Sequence, residues 1–165
     1  MESYMTWLNA GSPFPDLTVD VAGHGRVSVR EELAGDYGVV LIYRGSWCPY
    51  CNAQLRAFER ARDTLAELGV KMIALSVDDE ATTKALVAKL RLTFPVAHGA
   101  DADEVSRATG AFVNADPTYL QSTGFVLDPS GEVVVSVYSS GAIGRLLPED
   151  VAGLIRYIRQ SAADA

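Results

Sequence analysis

The chain has 165 residues, a length typical of one domain, and its 48% hydrophobic and 21% charged residues are the composition of a folded globular protein. Fourteen basic and 21 acidic residues give a net charge of −7, which argues against a nucleic-acid partner because phosphate backbones are repelled. The longest apolar run, residues 39–43, is far shorter than the roughly 18 residues that suggest a membrane span. We therefore expect one domain over residues 1–165 that binds neither nucleic acid nor membrane.

The N-terminal part of the chain predicts an extended segment followed by a small hairpin. Residues 1–10 contain Glu2, no lysine or arginine and no apolar core, so we expect no secretory signal and a cytoplasmic location. Residues 11–16 are typical of an extended lead-in, and residues 17–20 and 26–28 flank a Gly-His-Gly turn. A short helix is predicted over residues 30–34.

The middle of the chain predicts a strand, a helix and a second strand. Residues 38–43 are apolar at consecutive positions, which is typical of a strand buried on both faces in a parallel sheet. Four apolar residues follow at near-helical spacing: Leu55, Phe58, Leu65 and Leu68. They predict one helix that ends before Gly69, and residues 70–77 form the next apolar run. Because such units are right-handed in nearly every known case, the two strands should be parallel with the helix on one face.

The last part of the chain predicts three helices and an antiparallel hairpin. Asp78 or Asp79 can cap a helix that runs to about Leu92, and a shorter helix is predicted over residues 103–109. Residues 123–127 and 132–138 flank an Asp-Pro-Ser-Gly turn and predict a hairpin, and an amphipathic helix starts at Pro148. This order of elements predicts an α/β, thioredoxin-like fold with an N-terminal β-hairpin extension.

The two cysteines of the chain, Cys48 and Cys51, are separated by two residues. Pro49 fits the first position of a helix, so we predict that Cys48 is the N-cap and that Cys51 lies one turn in. The N–H groups of a first turn and the helix dipole favour a thiolate, which should lower the pKa of Cys48 from the free value of roughly 8.5. We therefore expect Cys48 to be the more acidic and accessible thiol, which attacks, and Cys51 to be the thiol that resolves the product.

The same residues have other interpretations. The cysteines could be buried simply as small hydrophobic residues, or could share a zinc ion between two molecules, since they supply half of a structural zinc site. Trp47 could cover the loop or contact a docking partner, and Arg44 could be a solvated charge or could stabilise the thiolate. We expect neither a metal nor an organic cofactor, and no pattern indicates the number of subunits.

Four stretches of the chain are similar to those of one known family: residues 11–17 (Gly-Ser-Pro-Phe-Pro-Asp-Leu), 39–51 (which end in Trp-Cys-Pro-Tyr-Cys), 94–96 (Phe-Pro-Val) and 124–131 (Gly-Phe-Val-Leu-Asp-Pro-Ser-Gly). They resemble the peroxiredoxin-like proteins of the alkyl hydroperoxide reductase and thiol-specific antioxidant family. The resemblance spans residues 11–159, and Trp-Cys-x-x-Cys is specific for the thioredoxin superfamily. It implies an antioxidant enzyme that takes electrons from a thiol reductant and acts on a disulfide or a hydroperoxide.

The chain departs from this family at its characteristic positions. When the family's peroxidatic cysteine is aligned with Cys51, Arg44 stands at the family's proline and Cys48 at its threonine. The arginine that helps the family activate peroxide falls near Gln121 or Ser122. Because these peroxide-orienting residues are missing, we expect disulfide exchange to be faster than peroxide reduction.

Thioredoxins differ from the chain in two further places. Their buried acid corresponds to Ile42, and their cis-proline falls near Ser122 or Thr123. We predict a thiol oxidoreductase that cycles between a Cys48/Cys51 dithiol and disulfide, supported by Arg44, Trp47, Pro49, Ser122 and Thr123. Two alternatives are a peroxidase with Cys51 as the peroxidatic cysteine and a redox-inactive module that docks through Trp47, Phe112 and Tyr119.

Overall fold

The computed structural model of the chain describes residues 7–164. The first six residues, which belong to the segment where no secretory signal is expected, lie outside the described residues, as does residue 165 of the expected domain. The strands are β1 (Thr18–Val21), β2 (Gly25–Ser28), β3 (Tyr37–Ile42), β4 (Val70–Leu75), β5 (Val96–His98), β6 (Val113–Asn114), β7 (Tyr119–Leu120), β8 (Thr123–Leu127) and β9 (Val133–Tyr138). The helices are α1 (Val29–Leu33), α2 (Pro49–Arg60), α3 (Arg62–Glu67), α4 (Glu80–Leu90), α5 (Ala102–Thr109) and α6 (Pro148–Asp164).

Seven strands form one mixed sheet in the order β2-β1-β5-β4-β3-β8-β9, and β6 and β7 form a separate two-stranded sheet. Strand β3 pairs in parallel with β4 and antiparallel with β8, which confirms the predicted parallel unit. Every residue of β3 after Tyr37 is buried, because helices or loops cover both faces of this strand. The central strand that the apolar run predicted is therefore the one that leads into the cysteine motif.

Side chains that alternate along the sheet pack into two apolar layers. Val39 and Leu41 belong to the layer formed with α2, α4 and α6, whereas Val40 and Ile42 belong to the layer formed with α1, α5 and the lead-in residue Phe14. Successive strand residues point to opposite faces, so one apolar run supplies both layers. Cys48 and Cys51 lie in the first layer, at the beginning of α2.

The predicted elements are present, with two differences. The single helix predicted before Gly69 is interrupted at Ala61 and forms α2 and α3. The apolar periodicity does not detect this interruption, because Phe58 and Leu65 both still face the same layer. The hairpin of β6 and β7 was not predicted, because strands of two residues are too short to show a period.

None of the helices among residues 7–164 is long and apolar enough to cross a membrane.

The turn between β8 and β9 is organised by one carboxylate. Asp128 accepts hydrogen bonds from the Ser130 N–H (2.9 Å), the Ser130 hydroxyl (2.6 Å) and the Glu132 N–H (3.0 Å). Burial opposes ionisation of Asp128, but these hydrogen bonds hold its pKa below the ordinary aspartate value. The same turn binds the lead-in, because the Phe14 N–H donates to the carbonyl of Gly131 (2.9 Å).

Replacement of Asp128 by alanine should therefore lower the free energy of unfolding near neutral pH by about 1 kcal/mol, since three donors lose a charged acceptor. The stabilisation is present above the aspartate pKa of the unfolded chain and is lost as the pH falls through the lower folded pKa. Urea unfolding of wild type and Asp128→Ala between pH 7 and pH 3 should show the difference narrowing towards acid. An unchanged difference in the free energy of unfolding over this range would contradict the role of the charge. Asp128→Asn keeps an acceptor oxygen, so its free energy of unfolding near neutral pH should lie between those of wild type and Asp128→Ala.

Candidate active site

Three segments of the chain meet at one edge of the large sheet. Ile42 at the end of β3 pairs with Thr123 at the start of β8, and Thr123 pairs with Tyr138 at the end of β9. The loop that leads from β3 to α2, the segment before β8 and the loop after β9 therefore leave the sheet together. The candidate site lies where these segments surround the first turn of α2.

Cys48 is the N-cap of α2, as predicted. Its backbone is extended (φ −89°, ψ 114°), Pro49 occupies the first helical position, and the Cys51 N–H donates to the Cys48 sulfur at 3.3 Å. The sulfur thus takes the place of the oxygen that caps most helices.

Cys51 lies at the third position of the helix and has its own donors. Its sulfur accepts from the backbone N–H of Arg44 at 3.3 Å and from Nη2 of Arg145 at 3.1 Å. The Cys51 sulfur is therefore held by hydrogen bonds that come from outside α2.

Arg145 contacts both sulfurs and was missed by the sequence analysis. It lies in the loop between β9 and α6, 94 residues from Cys51, and its Nη2 is 3.6 Å from the Cys48 sulfur. Its Nη1 donates to Oε1 of Gln54 (2.8 Å) and its Nε to the carbonyl of Ala142 (3.0 Å), so the guanidinium has a defined orientation. The available signal was a single charged residue in the otherwise uncharged stretch 139–147.

Arg44 approaches Cys48 from the other side. Its Nη1 is 3.6 Å from the Cys48 sulfur, its Nε donates to Gln121 (3.0 Å) and its Nη2 donates to the Tyr119 hydroxyl (3.0 Å). The guanidinium also lies 4.9 Å from the ring centre of Trp47 and 5.1 Å from that of Tyr119, which are cation–π distances. Of the two interpretations of Arg44, the geometry is that of a residue directed at the sulfur.

Trp47 forms one side of this arrangement. Its ring lies edge-on to Tyr119 with 4.9 Å between the ring centres, and 53% of the residue remains exposed beside Cys48. A Cβ atom at Gly45 would lie 2.2 Å from the indole nitrogen, so only glycine permits the ring to pack there. Trp47, Pro49 and Tyr50 form the exposed rim of the site.

Ser122 and Thr123 are buried at the start of β8, and their hydrogen bonds stay within the sheet edge. The Thr123 hydroxyl donates to the carbonyl of Gln121 (3.1 Å), and the Ser122 carbonyl accepts from the Ser139 N–H (3.0 Å). The two predicted supporting residues therefore shape the segment that carries Gln121, and neither has a hydrogen bond to a sulfur among the described residues.

The two thiols have opposite pKa shifts. Burial opposes ionisation of Cys48, but hydrogen bonds from the Cys51 thiol, the Cys51 N–H and Arg44, together with the charge of Arg145, hold its pKa below the ordinary value. Burial is the main reason that the pKa of Cys51 is raised, and donation of its S–H to Cys48 adds to the effect. These directions agree with the predicted order of acidity, in which Cys48 is the more acidic of the two thiols.

The predicted difference in exposure is wrong. Cys48 and Cys51 both have 0% exposed surface, because Arg44 and Arg145 lie over the sulfurs and the core packs beneath them. A substrate must therefore displace a guanidinium to reach the Cys48 sulfur, or bind to one.

Nothing in residues 7–164 brings three histidine, cysteine, aspartate or glutamate side chains together as a metal site.

A protein-family model, described as the AhpC/TSA family, matches residues 10–136. The chain belongs to the AhpC/TSA family. The match includes both cysteines and Arg44, Trp47 and Gln121, but ends before Arg145.

Curated relatives of this AhpC/TSA protein are peroxiredoxins. The chain is 28% identical to a peroxiredoxin of Treponema denticola over 147 residues, which cover 86% of this chain and 69% of the relative. It is 27% identical to a peroxiredoxin of Methanothermobacter thermautotrophicus over 155 residues, which cover 90% of this chain and 71% of the relative. The protein is therefore a thiol-dependent antioxidant oxidoreductase.

Solved structures confirm the predicted thioredoxin-like fold. A mutant of the peroxiredoxin 6 of Arenicola marina has a TM-score of 0.82 at 18% identity, covering 94% of this chain and 75% of that one. The AhpC of Mycobacterium tuberculosis has a TM-score of 0.79 at 20% identity, covering 94% of this chain and 96% of that one.

Positive charge reaches the sulfurs of this AhpC/TSA protein from positions other than the one that the resemblance implies. Gln121 and Ser122 supply no positive charge, but Arg44 and Arg145 place two guanidiniums at the sulfurs from other parts of the chain. The arginine that the resemblance implies is thus absent from this position, as expected, and Arg44 has the sulfur-directed position that the sequence left open.

In the reduced protein, Cys48 should be alkylated by iodoacetamide with a midpoint below the pKa of a free cysteine, and Cys51 with a midpoint above it. Peptide mass spectrometry across a pH series separates the two rates. Arg145→Met should move the midpoint of Cys48 to higher pH, because the thiolate loses a nearby positive charge. Arg156→Met, which removes an exposed charge on α6, is the matched control and should leave the midpoint unchanged. Equal effects of the two arginine variants would contradict a specific role for Arg145.

Proposed function

We propose that Cys48 is the attacking thiolate of a dithiol peroxidase cycle and that Cys51 is its resolving thiol. The observation that carries this proposal is the set of donors around the Cys48 sulfur: the N–H and S–H of Cys51, the guanidinium of Arg44 and that of Arg145. Four donors favour the thiolate, which is the nucleophilic form of cysteine.

In the first step the Cys48 thiolate attacks the outer oxygen of a hydroperoxide ROOH. A sulfur–oxygen bond forms, the oxygen–oxygen bond breaks, and the RO⁻ group takes a proton and leaves as ROH. The sulfur is oxidised to a sulfenic acid, Cys48–SOH. Arg44 and Arg145 are the side chains placed to donate to the peroxide oxygens as negative charge develops on them.

In the second step Cys51 attacks the Cys48 sulfur, the Cys48–OH bond breaks, and water leaves with the proton of the Cys51 thiol. Cys48 and Cys51 lie within one helical turn, and the Cys51 N–H donates to the Cys48 sulfur at 3.3 Å, so we expect the two sulfurs to be within reach of a disulfide. A thiol reductant then restores the dithiol by two exchange steps and is itself oxidised to a disulfide. Attack of Cys48 on a protein disulfide would use the same residues in the same order.

A second candidate has Cys51 as the peroxidatic cysteine. One observation favours it: Nη2 of Arg145 is closer to the Cys51 sulfur (3.1 Å) than to that of Cys48 (3.6 Å). Against it, the pKa of Cys51 is raised, mainly by burial, so a smaller fraction of Cys51 is thiolate.

We also propose that residues 1–165 act as one domain in the cytoplasm. The proposal of one domain is supported by the single large sheet, which contains both the N-terminal strands β1 and β2 and the C-terminal strands β8 and β9. The second part is supported by chemistry, because a dithiol cycle needs the thiol reductants that reducing compartments supply.

One equivalent of hydrogen peroxide should convert the protein to a monomer with a Cys48–Cys51 disulfide. Peptide mapping without reduction identifies the bridge. Two free thiols, or bridges only between molecules, would contradict the dithiol cycle.

Variants with a single cysteine identify the attacking residue. In Cys51→Ser, hydrogen peroxide should give a sulfenic acid on Cys48 and a model protein disulfide should give a mixed disulfide at Cys48. In Cys48→Ser, modification of Cys51 should be at least about tenfold slower, since a raised pKa lowers the thiolate fraction. The opposite order of rates would establish the second candidate, and no reaction in either variant would overturn the proposed cycle. The ratio of the two oxidants' rates in Cys51→Ser tests whether disulfide exchange is the faster reaction.

A further inference from the structure

The two guanidiniums at the sulfurs are held by glutamine side chains. Gln121 accepts from Nε of Arg44 at 3.0 Å, and Gln54 accepts from Nη1 of Arg145 at 2.8 Å. The glutamines are only 7% and 5% exposed, respectively, and they come from different elements, Gln121 from the segment before β8 and Gln54 from α2. Two arginines from separate loops are thus fixed in the same chemical way.

Among residues 7–164, no carboxylate forms an ion pair with Arg44 or Arg145. Among the ion pairs of residues 7–164, arginine partners of acids are Arg26 with Asp20 and Arg62 with Glu59 and Asp63, all near the surface, and neither Arg44 nor Arg145 takes part. A glutamate in place of either glutamine would accept the same hydrogen bond and also cancel the charge. An amide orients the guanidinium and leaves its charge for another anion.

The anion that faces both guanidiniums is the Cys48 sulfur. Arg44 and Arg145 each have an Nη atom 3.6 Å from it, and Arg145 also contacts the Cys51 sulfur. In the disulfide both sulfurs are uncharged, so this positive field stabilises the reduced form and not the oxidised one.

We propose that Gln121 and Gln54 are positioning residues that hold Arg44 and Arg145 against the sulfurs and, because they are amides, reserve both positive charges for the Cys48 thiolate. They thereby make the Cys48/Cys51 couple more oxidising and its disulfide easier for a thiol reductant to open. The inference rests on the proposed dithiol cycle but concerns the sulfurs themselves, so it is measured without peroxide.

Other ionisable groups also face the site. The Tyr43 phenol is buried beside Cys51, and burial is the main reason that its pKa is raised to about 12, so it stays neutral over the range of the experiment. The Tyr119 hydroxyl accepts from Arg44. The carboxylate of Asp78 accepts from the Ser46 N–H at 2.8 Å, and burial raises its pKa. All of these groups are the same in wild type and in the variants below.

Gln121→Glu is the decisive variant, and Gln121→Met is its matched control. Glutamate keeps an acceptor for Arg44 and adds a negative charge, whereas methionine removes the acceptor and adds none. Arg44 keeps its contacts with Trp47 and Tyr119 in both. The first readout is the pH midpoint of Cys48 alkylation by iodoacetamide, and the second is the equilibrium constant of the dithiol with oxidised glutathione.

Gln121→Glu should move the Cys48 midpoint to higher pH and favour the disulfide by about tenfold in the glutathione equilibrium, which corresponds to a potential about 30 mV lower. Gln121→Met should lie between wild type and Gln121→Glu in both readouts. Equal shifts in the two variants, or no shift in Gln121→Glu, would overturn the proposal, since a purely structural role does not distinguish charge from loss of an acceptor.

Gln54→Glu and Gln54→Met test the same proposal at Arg145, and they decide it if a Gln121 variant fails to fold. The same order of Cys48 midpoints and glutathione equilibrium constants is expected, with the Cys48/Cys51 couple more reducing in Gln54→Glu than in Gln54→Met. The protein could fail to reduce peroxide while its variants still show the expected order of Cys48 midpoints and glutathione equilibrium constants. That result would support this inference and reject the proposed cycle. If the protein reduces peroxide but its variants do not show this order, the proposed cycle is supported and this inference is rejected.

Discussion

The hydrogen bond from the first turn of α2 to the Cys48 sulfur is the contact on which the site depends. A helix needs an acceptor at its N-terminus, and here the acceptor is the sulfur that we propose as the attacking atom. The donors that complete the helix therefore also stabilise negative charge on the sulfur. This placement follows from the short connection between β3, which ends at Ile42, and α2, which begins at Pro49.

The protein is acidic overall, but its reactive centre is basic. A net charge of −7 opposes a thiolate only weakly, because surface charges are screened beyond about 8–10 Å. Arg44 and Arg145 act at 3.6 Å from the Cys48 sulfur, where the interaction is far stronger. Aromatic rings and amides hold them there, so the local field does not require the salt bridges that fix other arginines of this chain.

Two guanidiniums contact the sulfurs from positions other than the one that the family resemblance implies. In the sequence, neither Gln121 nor Ser122 is an arginine. The guanidiniums reach the sulfurs from the loop before α2 and from the loop after β9. The threonine position holds Cys48 itself, which places a second sulfur next to Cys51. The chain thus combines a peroxiredoxin-type fold with a dithiol inside one helical turn, and the arrangement of groups in space determines the chemistry more than their positions along the chain.

The sequence by itself determined the order of elements, the buried strand before the motif and the cap position of Cys48. These features depend on local patterns: consecutive apolar residues, a proline at a helix start and the spacing of two cysteines. Tertiary structure alone decided the partners of the sulfurs, because Arg145 lies 94 residues from Cys51 and Gln121 lies 77 residues from Arg44. It also decided exposure: Cys48 is buried because Arg145 from a distant loop and Arg44 from its own loop cover it. Strand pairing brings those loops to one edge, and no local pattern in the chain records which loops will meet there.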